Sequence, residues 1–386
     1  MKQKLIGLAF LILILAGCAT PPPKPEGTAY FPPPPDLPRL QYLTFLTGEK
    51  DLGESQSAFD KFVVGQKKST RLDKPYGAAF YKDKLYVCDT NETVMVFDFS
   101  KRTLSPIQGS QGPGKLLQPL NIAIDSDGNK YVTDPVRGQV VIFDKTDSFV
   151  NAIGVPGTWK PTGVAVYEDR IFVSDMKNAL VKVFDKETGA SVREFGRQGP
   201  PTEMLAFPTN LAFDKDGYLF VSDAGRFQIV KFDRDGHFIE SIGKIGANPA
   251  HFARPRGLTF DRDGRLYIVD AAFNNVQMFN KDKQLLLFFG KGGTHPGDLY
   301  LPASVAIDYD NINFFQRFAD PDFEIEHIVA VTSQFERRLV SIYGLGKQKG
   351  KTYPSDETLK KELREQLEKL MKEQTPEKME DVQKAN

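Results

Sequence analysis

Residues Pro208 to Gly243 read PTNLAFDKDGYLFVSDAGRFQIVKFDRDGHFIESIG. Four short apolar runs stand out: LAF, YLFVSD, QIVKF and HFIESIG. Asp214-Lys215-Asp216-Gly217 separates the first two, and Asp233-Arg234-Asp235-Gly236 separates the last two. An Asp-Gly step between β-prone runs marks a hairpin, because glycine takes the positive φ that a tight turn needs. The stretch predicts a meander of four antiparallel strands, named a, b, c and d below.

The unit recurs. Strand a follows a proline at Pro75, Pro119, Pro161, Pro208, Pro255 and Pro302, at intervals of 42 to 47 residues. Strand b follows as LYVCD, KYVTD, IFVSD, LFVSD, LYIVD and a diverged IVAVT; strand c ends in VFD, IFD, VFD, KFD, MFN and SIY. That period is the size of one four-stranded propeller blade. The fold class is therefore all-β, a six-bladed β-propeller of four-stranded antiparallel blades over residues 40–346.

The pattern P-x-G-[VL]-[AT]-[VF], then [YF]-V-x-D, then [IV]-x-x-F-D, resembles the NHL repeat, most clearly in Pro161–Phe184, Pro208–Phe232 and Pro255–Phe279. The resemblance speaks to architecture; propellers host enzymes, sensors and scaffolds alike. With the leader described next, the chain is similar to NHL-repeat lipoproteins of Gram-negative bacteria. That implies a protein-binding role in the envelope.

Residues 1–17 read as an export signal. Lys2 and Lys4 precede an apolar run of 12 residues, Leu5 to Ala16. A bilayer span needs about 20 residues, so the run is too short to cross and suits a secretory leader. It ends in Leu15-Ala16-Gly17-Cys18, which resembles a bacterial lipobox, implying cleavage before Cys18 and acylation of that cysteine. In such lipoproteins an aspartate after the cysteine marks inner-membrane retention. Ala19 here implies an outer-membrane anchor, with the face undetermined. Residues 18–39 contain nine prolines among positions 19–38 and read as an extended tether.

Arg39 to Thr47 alternates like a strand but has no strand a before it, while the sixth copy runs out after strand c. The N-terminal strand is therefore expected to supply the missing strand d and close the ring, pairing both free edges. The remaining segment, 347–386, is a linker and a charged tail. Ser355 to Met371 predicts an amphipathic helix whose stripe is Leu359, Leu363, Leu367, Leu370 and Met371.

Charge excludes one function class: 50 basic residues balance 50 acidic ones, so no nucleic-acid footprint is expected. Once Cys18 is acylated only Cys88 remains, so no intramolecular disulfide is possible. Repetition itself separates scaffold from site. Asp89, Asp134, Asp175, Asp223 and Asp270 end every strand b but the last, and read as turn-forming residues. Asp125/Asp127, Asp214/Asp216 and Asp261/Asp263 lack the length and closing glutamate of a calcium loop, and read as hairpin turns.

Function should lie where the symmetry breaks. The d–a and b–c turns share one rim. After the strand-b aspartates come Glu92, Arg137, Asn178, Arg226, Phe227, Phe273 and Phe335; in the d–a turns come Tyr76, Asn121, Thr162, Asn210, Arg256 and Ser304. Arg137, Arg226, Phe227, Arg256, Phe273 and Phe335 form the expected partner-binding rim, since arginine and aromatics are favoured at interfaces. On the opposite face, the last blade carries an insertion of about 14 residues between strands a and b, read against the short turns of its siblings. Its Phe314, Phe315 and Phe318 suggest a docking loop or a plug. Two histidines, His251 and His295, fall in neighbouring d–a turns, too few to fix a metal. No nucleophile–base spacing, phosphate loop or metal-ligating set stands out. No cofactor and no metal are expected, and an enzyme is not. The reading is a lipid-anchored binding or scaffold propeller with an envelope protein partner. The alternative is an enzyme or sensor that takes a small molecule in the central channel, with a divalent metal as an option.

Overall fold

The computed structural model describes residues 27–53, 70–91, 93–335 and 337–354. Cys18, Glu92 and the predicted helix at 355–371 lie outside the described residues.

Six antiparallel sheets stand in a ring. Blade I comprises Pro75–Tyr81, Lys84–Asp89, Val94–Asp98 and Thr103–Pro106. Blade II runs Asn121–Ile124, Lys130–Asp134, Gln139–Phe143 and Phe149–Ile153; blade III runs Pro161–Tyr167, Arg170–Asp175, Leu180–Asp185 and Ser191–Phe195. Blade IV runs Pro208–Phe213, Leu219–Asp223, Gln228–Phe232 and Phe238–Ile242; blade V runs Pro255–Phe260, Leu266–Asp270, Asn275–Phe279 and Leu285–Phe289. Blade VI has Pro302–Asp308, Phe323–Ser333 and Val340–Gln348, and takes its outer strand from β2 (Leu40–Leu46). β2 pairs antiparallel with Val340–Gln348, from Leu40 opposite Leu345 to Leu46 opposite Val340. The first and last segments of the propeller thus share one sheet.

The cores lie between blades. One apolar cluster joins Tyr86 and Val96 of blade I to Val132 and Phe143 of blade II. Another joins Phe172 and Val183 of blade III to Val221 and Phe232 of blade IV. A sheet covered on both faces reads as a continuous apolar run, not an alternating one, which is why strand b is buried along its length in blades II, IV and V. Cys88 is a buried free thiol within this packing.

Two elements differ from the sequence reading. Part of the proline-rich tether belongs to the propeller: β1 (Tyr30–Phe31) adds a fifth strand to blade VI by pairing with β2. Phe31 packs its ring 6.1 Å from Phe289 and 6.2 Å from Tyr343, bridging blades V and VI. The insertion after blade VI strand a is an internal wedge. It forms α1 (Ile312–Gln316), and Phe315 and Phe318 are buried in the core between blades VI and I. Phe314 and Phe315 lie 4.9 and 5.2 Å from Phe99, and Asn311 donates 2.7 Å to the Lys82 carbonyl. Arg317 caps the Phe314 ring at 4.1 Å. Of the docking loop and the plug left open for Phe314, Phe315 and Phe318, burial of Phe315 and Phe318 in the core shared with blade I fits the plug.

His327 sits in the blade V–VI interface with 2% exposure, its Nε2 3.2 Å from the Tyr267 hydroxyl. Burial lowers its pKa to about 4, partly opposed by the Asp261 charge and reinforced by Arg265. The unfolded chain takes up this proton near pH 6.5, the folded chain only near 4. Stability from this group is full above the unfolded value and drains as pH falls towards 4, by about 3 kcal/mol in all. A His327→Gln variant should therefore show a flatter fall of its urea midpoint between about pH 7 and pH 4.5 than the parent. Parallel slopes would contradict this.

Candidate functional site

The repeating proline builds the mouth of the central channel. Proline fixes its own φ, holds the preceding residue extended, and is tolerated as the first residue of a strand. Directly after it the register shifts in blades I, III, IV, V and VI. A bulge inserts an extra residue and re-aims its side chain. Both residues flanking the proline in blades II, III, IV and V, and Tyr76 in blade I, border the axial opening.

The strand-b aspartates hold these turns. Asp223 is fully buried and accepts from the Ala206 and Phe207 amides at 2.8 Å each and from Gly225 at 3.1 Å. Asp134 binds the Leu117 and Gln118 amides on one side and Val136 and Arg137 on the other. Asp175 accepts from the Lys160, Lys177 and Asn178 amides, and Asp270 from Ala253, Arg254, Ala272 and Phe273. Each carboxylate thus pins a b–c turn and also the residue just before the proline, so the sequence reading captured half its work.

Around the axis, position two after the proline alternates Gly77, Asn121, Gly163, Asn210, Gly257, Ser304. A Cβ on Gly77 would meet the Asn121 Cα at 2.6 Å, and one on Gly257 the Ser304 Cα at 2.5 Å. The glycines make room for the next blade's polar residue. Asn121 donates 2.9 Å to the Thr162 carbonyl, and Asn210 donates 3.2 Å to Asn121 Oδ1, while Asn210 Oδ1 has no partner.

Above this floor lies a basin of about 210 Å³. Blade I contributes Tyr76; blade II Gln118, Leu120, Asn121 and Pro135; blade III Lys160, Thr162 and Met176. Blade IV contributes Phe207, Thr209, Asn210 and Ala224, and blade V Arg254 and Arg256. Arg256 is 7% exposed; its guanidinium donates 2.8 Å to Gln334 Oε1 and its Cζ lies 5.4 Å from the Tyr76 ring. Burial draws its pKa below the ordinary value; Tyr76 opposes this, the Arg254 charge adds to it by less, and Asp270 opposes it least. An arginine nonetheless stays charged.

Of the six rim residues expected from sequence, Arg256 alone lines the basin. Arg137 turns back onto its own blade, donating to Gln139 and to the Lys115 carbonyl. Arg226 ties its b–c turn to the Pro201 carbonyl. Phe227 occupies a left-handed turn position at φ 59°, and Phe273 is half-buried. Phe335 is exposed, with the Lys74 ammonium 5.6 Å above its ring and Tyr300 at 6.4 Å. Lys160, Phe207 and Arg254 escaped the sequence reading. Their signal was the non-repeating residue before each repeating proline. His295 pairs with Asp298 at 3.3 Å, and neither it nor His251 reaches the basin. Among the described residues no group of three or more His, Cys, Asp or Glu side chains could hold a metal.

No family model matches the chain. In shape it is similar to a Bacteroides thetaiotaomicron protein of unknown function, with a TM-score of 0.56 and 15% identity over 72% of this chain and 70% of that one. It is similar to an auxiliary nutrient binding protein from the same organism, at 0.54 and 13% over 71% and 70%. A gluconolactonase from Xanthomonas campestris aligns at 0.52 and 17% over 71% and 86%. At these identities the likeness is one of fold: the chain is a six-bladed β-propeller.

Proposed function

We propose that the protein is a binding module of the cell envelope, held on the outer membrane by an acylated Cys18, with its binding site at the axial basin. The carrying observation is the basin's lining. It combines polar, aromatic and cationic side chains but contains no Ser, Cys, His, Asp or Glu. The Thr162 hydroxyl is taken up by the Ser174 hydroxyl and by the Pro208 carbonyl, and Thr209 by the Ser222 carbonyl. The basin thus offers recognition groups, and both of its threonine hydroxyls are engaged by the chain itself. Similar folds serve a nutrient binding protein and a gluconolactonase, so shape leaves both classes open. The lining favours binding.

The test is a photoreactive residue placed in intact cells at Phe207, exposed at the basin, or at Ile239, exposed on the outer strand of the same blade. An adduct at 207 and none at 239 is expected, and a protein adduct would name the envelope partner. Equal adducts, or none at 207, would reject the basin. In the same cells Cys18→Ala should shift the protein out of the membrane fraction; retention would reject the anchor.

A further inference from the structure

We infer that the axial basin holds the carboxylate of a small, partly apolar acid, with Arg256 as the residue that reads it. This deepens the preceding proposal and rests on the basin being the binding site. Three cations line the basin, Lys160, Arg254 and Arg256, and no acidic side chain joins them. None of the three forms an ion pair among the described residues.

Arg256 carries the argument. A buried charge is costly unless it is paired and hydrogen-bonded. Here a nearly buried guanidinium has a neutral amide, Gln334, and an aromatic face, Tyr76, as its partners. Asp270 is near enough to be felt, but its oxygens already accept four backbone amides. Gln334 occupies one side of the guanidinium's donor fork. A carboxylate matches a free edge of that fork with two parallel charge-assisted bonds. Lys160 and Arg254 are exposed at the opening, where like-signed charges draw an anion inward. Apolar side chains stand between these charges in the lining: Leu120, Pro135, Met176 and Phe207. That combination suits an acid with a hydrophobic body over a bare phosphate.

Benzoate and benzamide test this, because they share shape and differ in charge. Each is titrated against the folded propeller by ligand-observed saturation-transfer NMR. Benzoate is expected to bind at least about tenfold more tightly than benzamide, and Arg256→Met to remove that preference. Should Arg256→Met fail to fold, Lys160→Met with Arg254→Met changes two exposed positions; benzoate binding should then weaken several-fold and lose salt sensitivity. Equal binding of both compounds, lost in Phe207→Ser, overturns the acid and leaves the basin as the site. Binding of neither compound also overturns it; an adduct at position 207 then keeps the basin, and a blank there removes both. Inorganic phosphate binding where benzoate does not would likewise overturn the carboxylate.

Discussion

A chain that begins at Gly48 should fail to form a closed ring. Such a truncation removes Leu40, Tyr42, Leu43 and Leu46, each no more than 1% exposed. Each such side chain stabilises by about 2–3 kcal/mol, so their loss together rivals the 5–15 kcal/mol of a whole domain. It also strips the partner from Val340–Gln348, leaving a long free edge that templates aggregation. We expect the melting temperature to fall by roughly 10 °C or more, with self-association. A synthetic peptide of residues 27–53 supplied in trans should restore the fold by strand addition, which a non-specific loss of stability would not allow. A truncated protein that stays monomeric and melts with the parent would refute ring closure.

Lys130→Met is the second large expected effect. Lys130 is fully buried between blades I and II, 2.6 Å from Asp147 Oδ1 and donating 3.0 Å to the Asp144 carbonyl. Asp147 also accepts 3.0 Å from the Tyr86 hydroxyl. Burial, with the Asp147 charge adding to it, pushes the Tyr86 pKa well above its ordinary value, so that hydroxyl remains a donor. Removing the ammonium leaves the carboxylate with the Tyr86 hydroxyl and the half-buried Lys84 ammonium 3.8 Å from Oδ2, a weaker set of partners, at a cost of about 2–3 kcal/mol. Lys130→Met with Asp147→Asn should recover at least half of it, because the charge left behind is what destabilises. A single variant within about 1 kcal/mol of the parent by chemical denaturation would show the pair to be dispensable.

How much of this was legible follows from what each signal encodes. The repeating proline, the Asp-Gly turns and the strand-b aspartate are local chemistry, and they specify six blades. Closure by Leu40–Leu46 was readable because a lone strand preceded the repeat array and the last copy lacked its strand d. Phe315 was not readable. An aromatic in a long loop looks the same whether a partner or its own neighbour covers it, and here Phe99 of blade I does so from over two hundred residues away. Tyr30 and Phe31 were hidden among prolines that suggested only a spacer. In the site, Tyr76, Asn121, Thr162, Asn210 and Arg256 were nominated through their turns and do line the basin. Arg137 and Arg226 share Arg256's chemistry but donate to carbonyls of the loops that lead into their own blades. Side-chain direction at the mouth depends on the bulge after the proline, which belongs to the pairing of strands a and b and leaves no mark in the residue itself.

The most direct test of the axial basin as an acid-binding site is a crystal structure of the propeller grown with saturating sodium benzoate. The account predicts a carboxylate against the Arg256 guanidinium, with the ring beside Phe207 and Met176. Benzoate seated only elsewhere, with water alone against Arg256, would contradict it.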